Sequence, residues 1–224
     1  MGTRSKLKRA GEIVVSLLPV SLYCLDIACG VPGGGGGGGE VGRHDPHDDL
    51  PAGVYDAPCH ADARLSEAME GVADHWSTTI EVDAVAKTLV RTDSGFADDS
   101  CATPLVRLVM AAQYDLSNPA KEGSHLDARI FPYDTKLTPL SAEAAGTFSA
   151  ADFCGATFTK AKATPITDED CAVDYDFAAG HYLYGVIEME GTTAFRLGET
   201  FVREGEEVPV ALSPLRYTDR RPEP

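Results

Sequence analysis

The stretch Phe96-Ala-Asp-Asp-Ser-Cys-Ala-Thr-Pro-Leu-Val-Arg-Leu-Val-Met-Ala-Ala-Gln-Tyr-Asp-Leu116 decides the fold. It opens with an acidic turn, passes through Cys101 and Thr103-Pro104, and then runs apolar, apart from Arg107, to Tyr114. An acidic, Ser-containing turn beside a cysteine, followed by a long strand-forming run, reads as a turn pinned by a disulfide that feeds a long antiparallel strand.

Working outward, strand signals recur on both sides. Trp76–Val82 carries Thr78, Thr79, Ile80 and Val82, and Lys87–Thr92 returns after a turn at Asp83–Ala86, which predicts a hairpin. Arg91–Phe96 reads as polar and loop-forming near Gly95. Ile130–Tyr133 predicts a short strand whose Pro132 favours an edge or a bulge. Tyr182–Met189 and Thr192–Leu197 flank Glu190-Gly191 and form the clearest hairpin, Gly191 supplying a turn backbone that few other residues tolerate. Pro209–Leu212 predicts a last strand, with a polar tail from Tyr217. Leu137–Ala151 is the helical exception, with Ala142–Ala145 expected to form one or two turns ended by Gly146 and Ser149 to cap another. Many short strands with little helix predict an all-β fold, an antiparallel barrel or half-barrel with short helical segments.

The first 50 residues read as an address and a spacer. Arg4, Lys6, Lys8 and Arg9 precede a mostly apolar Ile13–Ala28, the layout of a secretory signal over residues 1–29. Leu25-Asp26-Ile27-Ala28-Cys29 approximates a bacterial lipobox, with Asp26 where the pattern wants an apolar residue. Two outcomes stay open: lipidation at Cys29, which would anchor the chain to a membrane, and cleavage without lipidation. Gly33–Gly39 is an unbroken glycine run, too costly in backbone entropy to order, and with the acidic His44–Asp49 it makes residues 30–49 a flexible tether. The match of that run to GxGxxG lacks a preceding strand and a following helix and carries no meaning. The domain then spans residues 50–224, roughly 170 residues, enough for one core.

Composition narrows function. Hydrophobic residues make up 43% and charged residues 24%, as in a globular chain, and the net charge of −16 argues against nucleic acid. Of six cysteines the leader takes Cys24 and Cys29, leaving Cys59, Cys101, Cys154 and Cys171. An even number in an exported domain predicts disulfides, and no CxxC suggests zinc. Four cysteines allow three connectivities, which sequence does not decide; the short loop between Cys154 and Cys171 favours that pair, with Cys59 and Cys101 as its complement. Asp168-Glu169-Asp170 is acidic enough for Ca²⁺ but reads as a solvated loop. No GxSxG, HExxH, P-loop or EF-hand pattern occurs, and His60, His75, His125 and His181 read as ordinary surface or satisfied histidines. No enzyme, cofactor or metal is expected.

A family resemblance sharpens this. Asp98-Asp99-Ser100-Cys101-Ala102-Thr103-Pro104-Leu105 resembles the D-x-x-C-T-T-P-L stretch of bacterial exported proteins with a lipocalin-like domain related to that of vertebrate APC-down-regulated Wnt antagonists. Gly53–Cys59 is similar to the opening G-T-W-x-S-x-C, with Tyr55 in place of Trp. Tyr114, Cys154-Gly155, Tyr184-Gly185 through Gly191, and Pro209 through Arg220 resemble later landmarks. The resemblance implies a lipocalin-like barrel, a Cys59–Cys101 pairing and binding of an acyl chain. Together with the strand pattern it yields one expectation, an exported barrel holding a small apolar ligand or lipid in a pocket lined by Tyr55, Trp76, Val106, Leu108, Phe131, Tyr184 and Phe195. It is expected at the periplasm, the outer membrane or the cell surface, touching membrane only through an N-terminal lipid anchor. The rival expectation is an envelope structural or protein-interaction module without a small ligand. A hydrolase has nothing positive in its favour beyond export.

Overall fold

A computed structural model describes residues 49–117, 125–167, 171, 178–199, 201–208 and 211–221. The leader, most of the tether, Cys29 and Asp168–Asp170 lie outside them. Ten strands are described: β1 (Gly53–Ala61), β2 (His75–Asp83), β3 (Thr88–Phe96), β4 (Pro104–Ser117), β5 (His125–Pro139), β6 (Thr164–Pro165), β7 (Leu183–Met189), β8 (Ala194–Gly198), β9 (Val202–Arg203) and β10 (Leu212–Asp219). Two helices, α1 (Ala63–Ala68) and α2 (Ala142–Ala150), lie in the connections.

Eight of these strands close on themselves in the order β1-β2-β3-β4-β5-β7-β8-β10 and back to β1. Every pairing is antiparallel, and the ring is completed where β5 meets β7, from His125↔Glu188 to Ile130↔Leu183, and where β10 meets β1 at Tyr55↔Asp219. Short β6 and β9 flank the ring on β5 and β7. The fold is the all-β antiparallel barrel expected from the strand pattern, and both disulfides form, Cys59–Cys101 and Cys154–Cys171.

Turn chemistry explains the connections. Asp83 Oδ1 accepts the N–H groups of Val85 and Ala86 at 3.0 and 2.9 Å, and Lys87 takes a left-handed φ of 53°, so the β2–β3 hairpin needs no glycine. Asp62 caps α1 by accepting the Leu65 N–H, and Ser141 caps α2 by accepting that of Ala144, each at 2.9 Å. Helix α2 passes through Gly146, which was expected to end it, and Ser149 is not a cap, its hydroxyl instead accepting the Phe158 N–H at 3.0 Å.

The barrel has two ends. At the base, Leu50 is buried beneath the β2–β3 turn, and Asp49 meets Lys87 and the Tyr114 hydroxyl. At the crown, α1 and the long β5–β7 connection carrying α2 cover the opening. A groove of about 330 Å³ marks the surface at the base, between Gly53–Val54, Glu81–Asp83 and Thr88–Val90. Each end has its own apolar cluster. The base core gathers Leu50, Tyr55, Ile80, Val82, Leu89, Met110, Tyr114, Ile130, Ile187, Phe195 and Tyr217. The crown core gathers Met69, Trp76, Val106, Leu108 and Leu137 with Phe148, Phe153, Phe158 and Ile166 from the β5–β7 connection.

Three expectations are corrected. Arg91–Phe96 is not a loop, because β3 continues through it in unbroken register with β2. Ile130–Tyr133 is not a short strand of its own but part of the 15-residue β5, and Pro132 takes the bulge rather than the edge of its two expected places, one extra residue at Tyr133 standing opposite Ala111 and Ala112. The last strand is β10, running from Leu212 through Tyr217 to Asp219, where a polar tail was expected. Its apolar marks are few, a buried Tyr217 and half-buried Leu212 and Leu215, with Pro214, Arg216 and Thr218 exposed between them.

Candidate functional site

The two cores are not continuous. Along β2 the inward side chains run Trp76, Thr78, Ile80, Val82; along β3 they run Gly95, Asp93, Arg91, Leu89; along β5, Leu137 and Thr135 precede the bulge that leads to Ile130. On the neighbouring β2 and β3, and on β5 beyond the unbroken apolar row of β4, a polar residue therefore interrupts an apolar row. Asp93, Thr78 and Thr135 are 2% exposed or less. At the crown side of this layer Gly95 makes room for an indole, because a Cβ there would lie 2.8 Å from the Trp76 ring.

The layer is tied together by hydrogen bonds. Arg91 Nε donates to Asp93 Oδ2 and Oδ1 at 2.8 and 3.1 Å, and Nη2 donates to Oδ1 at 3.0 Å. Thr78 Oγ1 donates to Asp93 Oδ1 at 2.6 Å. The buried Tyr217 lies near enough to Thr78, Arg91 and Asp93 to interact with them. A carboxylate only accepts, so the one hydroxyl proton of Thr78 goes to Asp93.

The charges follow from the surroundings. Burial opposes a charged guanidinium at Arg91, but the adjoining Asp93 outweighs it and holds the group protonated well above its ordinary range. Burial pushes the Tyr217 hydroxyl up, so it stays a neutral donor. The α1 cap Asp62 is near enough to act electrostatically on both Arg91 and Tyr217. A buried ion pair is costly to break, about 3–5 kcal/mol when one partner is removed, because the survivor keeps an uncompensated charge.

Asp93 takes Nε and one face of Nη2, leaving Nη1 with no protein acceptor among the described residues. Although it points into the barrel, the Arg91 side chain is 29% exposed, while its partner Asp93 is 2% exposed. Arg91 thus borders space that the protein does not fill. The layer offers unused N–H donors in surroundings of low dielectric, where a hydrogen bond counts for more than in water.

The structure divides the expected pocket residues. Tyr55 and Phe195 belong to the base core, their rings 4.9 Å apart, with Phe195 stacked on Tyr217 at 5.2 Å. Trp76, Val106 and Leu108 belong to the crown core. All five are buried to 2% or less and pack against other side chains. Phe131 and Tyr184 are corrected. They lie on the outer wall, Phe131 in the row of exposed Arg129 and Tyr184 opposite Arg129 on β7. There Phe131 meets Tyr182 at 4.8 Å, Tyr182 meets Tyr184 at 6.4 Å, and Arg129 lies 5.2 Å over the Tyr182 ring. The sequence reading passed over Arg91 and Asp93. Their signal was period-two phase, since both share the inward face with Leu89.

Among the described residues no group of three or more His, Cys, Asp or Glu side chains is placed to hold a metal ion. Among them, too, no helix is long and apolar enough to cross a membrane. The two disulfides fit an oxidising, non-cytoplasmic location. No protein-family model matches the chain, and a search of curated proteins finds no match.

Proposed function

We propose that this chain is an exported, non-enzymatic lipocalin-like barrel that holds a small ligand of largely apolar body at the cell envelope, with the ligand's polar end against Arg91. The observation that carries the reading is the accessible, incompletely bonded guanidinium inside a closed barrel. The Arg91 side chain is partly exposed, and the polar end of a bound molecule would take the place of water on the N–H groups that Asp93 leaves over. The side chains that flank the layer are apolar but pack against one another, so the space beside Arg91 is where such a molecule would enter.

The test is native mass spectrometry of the full-length protein isolated from its host without detergent, followed by organic extraction. The expected result is a reproducible added mass that leaves on denaturation, extracts as a lipid-like compound and is lost in Arg91→Met. A mass that survives denaturation instead reports acylation, with Cys29 as the expected position. A bare folded protein overturns the reading.

A second reading, an envelope interaction module without a small ligand, is favoured by a different observation. The inward rings of Tyr55, Trp76 and Phe195 are packed to 0% exposure, while Tyr133 and Tyr182 on the outer wall are 50% and 43% exposed, Tyr182 beside Phe131 and Tyr184. Exposed tyrosines next to an arginine suit a protein contact. A bare mass, together with a partner lost on substitution of Tyr133 and Tyr182 by Ser, would select it.

A further inference from the structure

We infer that the ligand end received by Arg91 is a neutral carbonyl, as in an ester, lactone or amide, and not a carboxylate. This rests on the small-ligand reading and specifies the chemistry of its site.

An arginine inside a barrel invites an anion, but this one already has one. Asp93 occupies the Nε side of the guanidinium through three contacts between 2.8 and 3.1 Å and is itself 2% exposed, so its charge is not screened by water. Asp62, at the start of α1, is a second carboxylate within electrostatic range, weaker in effect because it is 33% exposed and has His60 3.9 Å away. The other groups tied into the layer bring no positive charge: Thr78 is committed to Asp93, and Tyr217 is a neutral hydroxyl. One guanidinium therefore faces two carboxylates before any ligand arrives. A third carboxylate would gain hydrogen bonds from Nη1 but would be buried near Asp93 as a like charge with no counterion.

A carbonyl oxygen avoids this penalty. It has lone pairs for the unused N–H groups and carries no net charge, so it satisfies the donors without disturbing the Arg91–Asp93 balance. The site thus separates two properties that commonly travel together: it is rich in donors yet closed to anions.

The probes are dodecanoic acid and its methyl ester, which share an apolar chain and differ in charge. Each is titrated into the full-length protein near neutral pH, with binding read by native mass spectrometry and by the emission of Trp76, the single tryptophan, which packs on Gly95 two residues from Asp93. The ester is expected to bind at least about tenfold more tightly than the acid. Asp93→Asn, which removes the charge at constant shape, is expected to reverse the order. Near-UV circular dichroism reports whether that variant is folded, and the ranking in the unaltered protein stands as a test without it. Equal binding, or tighter binding of the acid, overturns the inference while leaving the small-ligand reading in place. Binding of neither probe counts against both.

Discussion

The base core and the crown core are similar in size but different in origin. Nearly everything in the base core stands on a barrel strand, so its side chains are fixed by the hydrogen-bond ladders that close the ring. The crown core takes Trp76, Val106, Leu108 and Leu137 from strands but completes itself with Phe148, Phe153, Phe158 and Ile166 from a single connection. That connection is held by α2, by Ser149 bonding Phe158, and by the Cys154–Cys171 disulfide. The lesson is that the barrel is one structure but two stabilities: the ring depends on long-range pairing, and its cover depends on local staples.

Substitution of one ring in each core tests this most strongly. Phe195→Ala and Phe148→Ala are each expected to cost about 3–5 kcal/mol, measured by denaturant unfolding. Their hydrogen-exchange patterns should differ. Phe195→Ala should lower protection around the whole ring, whereas Phe148→Ala should lower it chiefly in α2 and its neighbours. Matching patterns would mean that the polar layer does not divide the interior energetically.

Removing the staple should have a smaller effect. Replacing both Cys154 and Cys171 with Ser opens a loop of 17 residues in sequence separation and should cost about 3 kcal/mol. Amide protection is expected to fall over the crown connection and to hold in β1 through β4. A uniform loss would show that the cover and the ring unfold together.

The smallest effect concerns the seam where β10 meets β1. Arg220 donates to both Asp56 oxygens at 2.5 Å, and those bonds hold the Asp56 carboxyl below its usual range. A carboxyl depressed in the folded state contributes its full stability above its unfolded pKa, about 3.9, and loses it as pH falls through the lower folded value. The pair is partly exposed, so acid should only loosen the seam. The Arg220 N–H, bonded to the Val54 carbonyl at 2.7 Å, is the reporter, and its exchange should quicken at acid pH in the wild type and already at neutral pH in Asp56→Asn. Unchanged exchange in both would remove the ion pair from the account of the seam.

Much of the ring was legible because apolar alternation and turn residues act locally. The β2–β3 hairpin, the strand after Cys101 and the hairpin at Gly191 all lie where their residues indicated. The misreadings have a common cause, since each depends on strand phase. A single extra residue at Tyr133 resets which side of β5 faces inward; Pro132 hinted at a bulge, but only the pairing with β4 shows that Phe131 lies on the outer side. Arg91 and Asp93 look like loop residues in isolation; only pairing with β2 and β4 shows them as inward members of a strand. The candidate site was thus hidden by the rule that makes barrels readable, the expectation that inward positions are apolar.

Closure of the ring also governs how copies of the chain meet one another. A sheet grows by offering an unpaired row of backbone amides to another molecule, and among the described residues the ring closes through six pairs between β5 and β7 but through only Tyr55 and Asp56 between β1 and β10. The flanking strands β6 and β9 are two residues each, and β6 ends in Pro165, which has no amide proton to give. If copies of this chain add strand to strand, the β10–β1 seam is therefore where they would meet, and not β6 or β9.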